Sequence, residues 1–186
     1  MLDRNERWQA LNKLRDAAIA DNALCWKFSQ LDTEREAFWR RMTYRTVFAS
    51  IETLARFLRQ TALLFTEEGE DPFSVAERLA LAEKTYEVGS DGLVREIPAR
   101  IRTLDGISLS LDAIARSAGV AYKVDKSGEN WRSLCSASRV RDRLAHPKTV
   151  EDFAVTEEEM HLLHCGWRWY MDELRKAVCR PEWKTE

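Results

Sequence analysis

The sequence predicts an all-α protein, an antiparallel up-down bundle of about five to six helices with a small β-hairpin inserted. Of the 186 residues, 45% are hydrophobic, which is enough for one well-buried core, so we predict a single domain over residues 1–186. The chain contains only 7 Gly and 4 Pro, too few for the many turns of a β-sandwich or barrel. Apolar residues also recur three and four positions apart, which is the period of an amphipathic helix.

The N-terminal third of the chain predicts two helices. From about Asp3 to Ala20, one apolar face is formed by residues at helical spacing, Trp8, Leu11, Leu14 and Ala18. A capping box of Thr33 and Glu36 then begins a longer helix that continues to about Phe65. Its long apolar stripe predicts that this second helix is the spine of the fold.

A third helix and a hairpin are predicted next. Asp71 suits the N-cap of the third helix and Pro72 suits its first turn, and the helix continues to about Lys84. Two short segments of alternating apolar and polar residues then flank Gly-Ser-Asp-Gly within residues 85–97. This pattern predicts a small β-hairpin.

A fourth helix is predicted from Thr103 to Ala118, with Gly119 as its left-handed C-cap. The surrounding segment, residues 110–125, resembles a DNA-binding helix-turn-helix motif at first sight. The second helix of such a motif would contain only residues 121–126, which is under two turns at about 3.6 residues per turn. We therefore predict a helix followed by an extended segment.

Two further helices complete the bundle. The fifth is predicted from Glu129 to about Ala145, because Pro147 disfavours the α conformation at the residue before it. The sixth begins at a second capping box, Thr156–Glu159, and continues to about Val178. Its inward face is predicted to comprise Met160, Leu163, Trp167, Tyr170, Met171 and Leu174.

Composition limits the functions that the chain can have. The net charge of -2 provides no overall positive field for nucleic acid. No apolar run approaches the roughly 20 residues that span a bilayer, and the N-terminus is charged, so we predict a cytoplasmic protein with no membrane contact. The cysteines lack metal-ligand spacing and are predicted to be free thiols, namely Cys25, Cys135, Cys165 and Cys179. We therefore expect no metal and no cofactor.

The segment RVRDRLAHPK, residues 139–148, contains the candidate catalytic groups. On a helix, Arg141 projects within about 60° of the centre of the apolar face, where its guanidinium needs an anionic partner. Arg139 and Arg143 point away from that face and are predicted to be solvated arginines or peripheral phosphate contacts. His146 leaves the helix because of Pro147, so its imidazole can turn towards Arg141.

An arginine beside a histidine provides the two chemical groups that are needed to cleave RNA. A histidine of near-neutral pKa can exchange a proton with the ribose 2′-OH or with the leaving oxygen. The arginine can stabilise the charge that develops on the phosphorus centre. This pair therefore requires no metal.

The motif Arg141-Asp142-Arg143-Leu144-Ala145-His146 resembles that of the HEPN superfamily of helical-bundle proteins, in which four to six residues stand between an Arg and a His and the residue after the Arg is polar. The resemblance implies a metal-independent endoribonuclease that acts as a homodimer, with the two motifs facing each other. It implies that His146 is the general acid and base, that Arg141 stabilises the phosphate and that Asp142 orients both. Arg139, Arg143 and Lys148 would then contact RNA.

Family members commonly act as toxins or in phage defence, so the resemblance also implies an antitoxin or defence-system partner and a 2′,3′-cyclic phosphate product. One toxin branch has His-x-Tyr after the motif, where this chain has His146-Pro147-Lys148. Other members are not nucleases, and a non-catalytic interaction or scaffold module is therefore the alternative function. A DNA-binding regulator would depend on the helix-turn-helix pattern alone.

Three other features have two interpretations each. Trp39–Arg45 contains three arginines among aromatic residues, which could stack bases and bind phosphates or could form a solvated helix face. Glu52 could pair with an arginine of the site or lie on the surface. His161 and His164 share a helix face but lack a further ligand, so we expect no metal there.

Overall fold

The computed structural model describes residues 4–31, 35–66 and 71–178. These residues form six α-helices and one β-hairpin, which confirms the predicted all-α class. The helices are α1 (Arg4–Leu31), α2 (Glu36–Phe65), α3 (Val75–Leu81), α4 (Thr103–Ser117), α5 (Glu129–Ala145) and α6 (Glu157–Val178), the strands are β1 (Lys84–Val88) and β2 (Val94–Pro98), and a 3-10 turn covers Glu151–Phe153. No helix within the described ranges is long and apolar enough to cross a membrane.

The chain groups into two compact units. The first unit comprises Met1–Leu54 and Asp125–Arg175, and the second comprises Ala55–Val124 and Lys176–Glu186. The candidate motif, residues 139–148, lies in the first unit. The single domain that the length predicts stays a prediction.

The first helix is longer than the sequence pattern predicts. α1 continues to Leu31 rather than ending near Ala20, because the intervening residues include no Gly or Pro that would end a helix. Small polar groups join α1 to α2. Ser50 Oγ donates to the Ala18 carbonyl at 2.9 Å. Thr33 of the first predicted capping box lies outside the described residues.

The predicted N-cap of the third helix is wrong. Ser74, not Asp71, caps α3, because only Ser74 has a glutamate three residues later, and the Ser74 and Glu77 side chains each bond to the other's backbone amide. Asp71 instead accepts from the Phe73 amide at 3.0 Å. The helix also ends at Leu81, before Lys84, and is followed by a left-handed residue at position 83.

The hairpin and the fourth helix confirm the predictions. β1 and β2 pair antiparallel from Lys84↔Pro98 to Val88↔Val94. α4 is followed by Gly119, which has a φ of 68° as a left-handed C-cap requires. Residues 121–126 contain no helix, so the segment lacks the recognition helix of a helix-turn-helix.

The core of the first unit includes a close approach of α5 to α6. A Cβ atom on Gly166 would lie 2.8 Å from the Leu134 Cα atom, which is too close for any side chain. Glycine is therefore required where the two helices touch. In the same unit, large side chains from three helices are fully buried, namely Tyr44, Phe48, Ile51, Leu134, Leu144, Leu163 and Tyr170.

The buried face of α6 differs partly from the prediction. Leu163 and Tyr170 are buried as predicted, but Trp169 is more deeply buried than Trp167. The Trp169 indole donates to the Asp125 carbonyl at 3.1 Å, and Glu173 accepts from the Asp125 amide at 3.3 Å. These hydrogen bonds to the segment that leads into α5 satisfy polar groups of Trp169 and Glu173, so both side chains can be buried.

The end of α5 is tied to the beginning of α6 by Arg143, contrary to the prediction of a solvated arginine. Its guanidinium binds both carboxylate oxygens of Glu159, at 2.9 and 3.1 Å, and donates to the carbonyls of Asp152 at 3.2 Å and Ala154 at 2.5 Å. Glu159 also completes the capping box with Thr156, which confirms that prediction. We call this set of contacts the Arg143 anchor.

The Arg143 anchor reaches α2 through a buried tyrosine. The Tyr44 hydroxyl donates to the backbone carbonyl of Glu159 at 2.6 Å. Burial, and then the charge of Glu159, raise the pKa of Tyr44 well above its usual range, so the phenol stays protonated and remains a donor. Three helices therefore meet at Glu159.

We expect Arg143→Lys to lower the free energy of unfolding by about 1–3 kcal/mol, because lysine keeps the charge but lacks the planar fork that reaches several acceptors at once. Urea unfolding followed by circular dichroism measures the change. The matched control is Arg139→Lys, since Arg139 is exposed on the same helix and should change stability by less than about 0.5 kcal/mol. Equal stability of the Arg143→Lys and wild-type proteins would contradict a stabilising role for the Arg143 anchor.

Acid should weaken the second unit through Glu77. The hydrogen bond from Arg116, and then those from Ser74, lower the pKa of Glu77 to about 2, so its contribution to stability is complete above the unfolded value of about 4.3 and is lost as pH falls towards 2. Glu77→Gln should cost about 1 kcal/mol at pH 6 and progressively less at lower pH. The measurement compares urea unfolding of both proteins between pH 6 and pH 3. A constant difference across that range would disprove the titration of Glu77.

Candidate functional site

The candidate site lies where α5 ends. The helix stops at Ala145, and His146 has left it with φ of -130° and ψ of 59°. The His146 amide still donates to the Asp142 carbonyl at 3.0 Å, which closes the last turn. This confirms the helix end that Pro147 predicts. The His146 side chain is exposed to solvent.

Arg141 has the anionic partner that its position requires. Its Nη2 lies 2.7 Å from Glu52 Oε1 on α2, and its Nη1 lies 3.1 Å from Asp142 Oδ1. The Arg141 side chain is 33% exposed, so the guanidinium lies at the edge of the core and still faces solvent. Of the two interpretations of Glu52, the structure supports the ion pair with the site.

The histidine and the arginine lie at the same end of α5 but are not bonded to each other. His146 follows Arg141 by five positions, which is about 7.5 Å along a helix axis. Within the described part of the chain, no hydrogen bond or ion pair joins the His146 imidazole to another side chain. His146 is therefore free to contact a ligand, whereas Arg141 shares its donors with two carboxylates.

The three residues predicted to bind RNA differ in their surroundings. Arg139 and Lys148 have exposed side chains, and the Lys148 backbone amide donates to Asp152 Oδ2 at 2.7 Å. Arg143 is occupied by the Arg143 anchor, with 32% of its side chain exposed. Of these three described residues, Arg139 and Lys148 thus keep a cationic group available on the surface.

A groove beside α2 is a feature that the sequence left undecided. It encloses about 670 Å³ and is lined by one face of α2 and by the loop after α5, namely Ala37, Phe38, Arg41, Met42, Arg45, Val150, Phe153 and Ala154. We call it the α2 groove. The spacing of Phe38, Arg41, Met42 and Arg45 is that of one helix face and could have indicated it, but the opposite wall is far away in the sequence.

The histidines of α6 do not form a metal site in the described residues. His161 Nε2 lies 3.5 Å from Cys165 Sγ, and the His164 ring lies edge-on to Trp26. No group of three or more potential metal ligands occurs within the described ranges. Cys25, Cys135 and Cys165 are free thiols as predicted, and Cys179 lies outside the described residues.

The features that bear on function are therefore the exposed imidazole of His146, the carboxylate-paired guanidinium of Arg141 and the α2 groove. All three belong to the first unit. Comparison of the chain with protein-family models, with characterised proteins and with solved structures finds no match.

Proposed function

We propose that the chain is a metal-independent endoribonuclease of a toxin or phage-defence type, which cleaves RNA with Arg141 and His146 at the interface of a homodimer. One observation supports this most strongly. α5 ends directly before His146, so an exposed imidazole follows a half-buried guanidinium at the same helix end. The resemblance to HEPN proteins and the spacing of the two residues agree with this assignment.

The proposed reaction is an internal transesterification. His146 removes the proton from a ribose 2′-OH, and the 2′-oxygen forms a bond to the adjacent phosphorus. The bond from phosphorus to the 5′-oxygen breaks, and that oxygen takes up a proton from His146 of the second copy in the homodimer. The products are a 2′,3′-cyclic phosphate and a free 5′-hydroxyl.

Arg141 would bind the phosphate that reacts. A guanidinium has five N–H donors, and the ion pairs with Glu52 and Asp142 use the two terminal nitrogens in part, so donors remain for phosphate oxygens. The two carboxylates hold the planar group in one orientation. Glu52 also places a negative charge beside the incoming phosphate, and this charge weakens binding of the ground state.

Nuclease activity should depend on His146 and Arg141 and should persist in EDTA. We expect His146→Ala and Arg141→Ala each to lower the rate of RNA cleavage by at least about 100-fold, the usual contribution of a general acid-base group or of a charge-stabilising donor. Cleavage of a labelled RNA, with detection of a 2′,3′-cyclic phosphate end, measures this. The matched control is His161→Ala, since the side chain of His161 is also exposed but lies on α6, away from the motif.

Circular dichroism of each variant shows whether the helices are retained. His146→Ala protein that cuts RNA as fast as the wild type would refute the proposal.

Glu52 should restrain phosphate binding at Arg141. Glu52→Gln keeps an oxygen that accepts from Arg141 but removes the negative charge, so we expect non-cleavable 2′-O-methyl RNA to bind roughly threefold to tenfold more tightly. Fluorescence anisotropy with the His146→Ala protein as the reference measures the dissociation constant. Weaker binding by the Glu52→Gln protein would contradict a restraining role for this carboxylate.

The alternative function is a non-catalytic interaction module of a defence or toxin-antitoxin complex. The observation that favours it is the pairing of Arg141 with Glu52 and Asp142, which satisfies much of the charge that a phosphate would otherwise neutralise. Such a module predicts a defined oligomer or partner complex and no RNA turnover at micromolar protein. The cleavage assay therefore distinguishes the two functions.

A further inference from the structure

The α2 groove combines exposed aromatic rings with guanidinium groups. Phe38 and Phe153 are 45% and 38% exposed and lie on opposite walls. We propose that the α2 groove binds an unpaired base of the RNA strand, and that Arg45 binds a phosphate between that base and Arg141. This inference rests on the proposed function, because it assigns the groove to the same RNA.

The arginines of the groove supply positive charge that the protein itself does not neutralise. Arg45 is exposed, and no hydrogen bond or ion pair joins it to another described residue. Arg41 donates one hydrogen bond, to the Phe153 carbonyl at 3.5 Å, and its guanidinium carbon lies 6.0 Å from the centre of the Phe153 ring. Both side chains therefore have donors available for phosphate oxygens.

The neighbouring carboxylates are already engaged. Glu36 pairs with Arg40, one turn further along α2. Asp152 accepts from the backbone amides of Lys148 and Thr149, at 2.7 and 3.0 Å, and these bonds lower its pKa. None of the residues that line the groove is acidic. An anionic ligand thus meets a cationic surface there.

The groove and the candidate site lie along the same face of α2. Phe38, Arg45 and Glu52 are each seven residues apart, which is about 10.5 Å along the axis and only about 20° around it. Glu52 contacts Arg141, so Arg45 lies between the candidate catalytic arginine and the aromatic walls. A strand bound at Arg141 can therefore place a phosphate at Arg45 and a base further along the strand at Phe38, about 21 Å along the helix axis from Glu52.

This arrangement favours an unpaired nucleotide over other ligands. Aromatic side chains beside guanidinium groups are the usual means of binding single strands, in which bases stack on rings and phosphates bind cations. A base inside a duplex cannot enter a side groove without being unstacked. The bound RNA is accordingly single-stranded a few nucleotides away from the cleaved bond.

The test uses the full chain with His146→Ala and fluorescein-labelled 2′-O-methyl hexanucleotides, whose binding is followed by anisotropy at several salt concentrations. Adding Phe38→Ala should weaken binding roughly fivefold to hundredfold without changing the salt dependence, because stacking involves no ion release. Adding Arg45→Gln should lower the slope of log K against log salt by about 0.7, the value for one phosphate contact on a single strand.

The matched control for this test is Arg132→Gln. Arg132 is an exposed arginine on α5, nine residues and about 13.5 Å along the axis from Arg141. It should leave both the affinity and the slope unchanged. The inference is overturned if Phe38→Ala and Arg45→Gln bind as the parent protein does, or if Arg132→Gln weakens binding equally.

The proposed role of the α2 groove and the proposed nuclease activity can be tested separately. In the otherwise wild-type chain, Phe38→Ala should change the base preference at a position a few nucleotides from the cut, as read by sequencing the products. If cleavage requires His146 but the Phe38→Ala protein keeps the same cleavage sites and affinity, the proposed role of the α2 groove is overturned and the proposed nuclease activity stands. If binding requires Phe38 and Arg45 but no RNA is cleaved, the role of the α2 groove is supported and the nuclease activity is overturned. If none of the hexanucleotides binds, the role of the groove is overturned.

Discussion

One guanidinium, that of Arg143, holds together the part of the molecule on which its proposed function depends. It joins the last turn of α5 to the carbonyls of Asp152 and Ala154 and to the carboxylate of Glu159 at the first turn of α6. A guanidinium can satisfy several acceptors at once because its donors lie in one rigid plane. Without Arg143 these acceptors would lose a charged donor at a partly buried helix junction, which lowers stability.

The consequences of the Arg143 anchor extend to both features of the candidate site. The chain between Ala145 and Thr156 must return across the end of α5, and this return exposes His146 and brings Phe153 to the α2 groove. Arg40 and Arg41 of α2 donate to carbonyls of the same loop, at Val155 and Phe153. The exposed histidine and the aromatic wall thus share one support.

Two arginines that are two residues apart on α5 have different roles because their partners differ. Arg143 is bound on several sides by acceptors that belong to the fold, whereas Arg141 has two carboxylate partners and an open side. A phosphate can approach the open side of Arg141. A phosphate at Arg143 would compete with Glu159, whose displacement would also disrupt the capping box of α6.

The sequence by itself determined the features that depend on neighbours within a few residues. The helical class, the hairpin, the left-handed Gly119, the Thr156 capping box and the end of α5 before Pro147 all follow from local backbone preferences. At α3, Asp71 and Ser74 both suit an N-cap, and the one that caps the helix is Ser74, which forms a capping box with Glu77 three residues later.

Only the tertiary structure decided which charged groups meet. The Arg141 partner, Glu52, is 89 positions away in the sequence, and the two walls of the α2 groove are more than 100 residues apart. Helical periodicity shows which way a side chain points from its own helix, but it does not show what lies opposite. For that reason the sequence could place Arg141 towards the core, and only the packing of α2, α5 and α6 could identify Arg143 as the anchor.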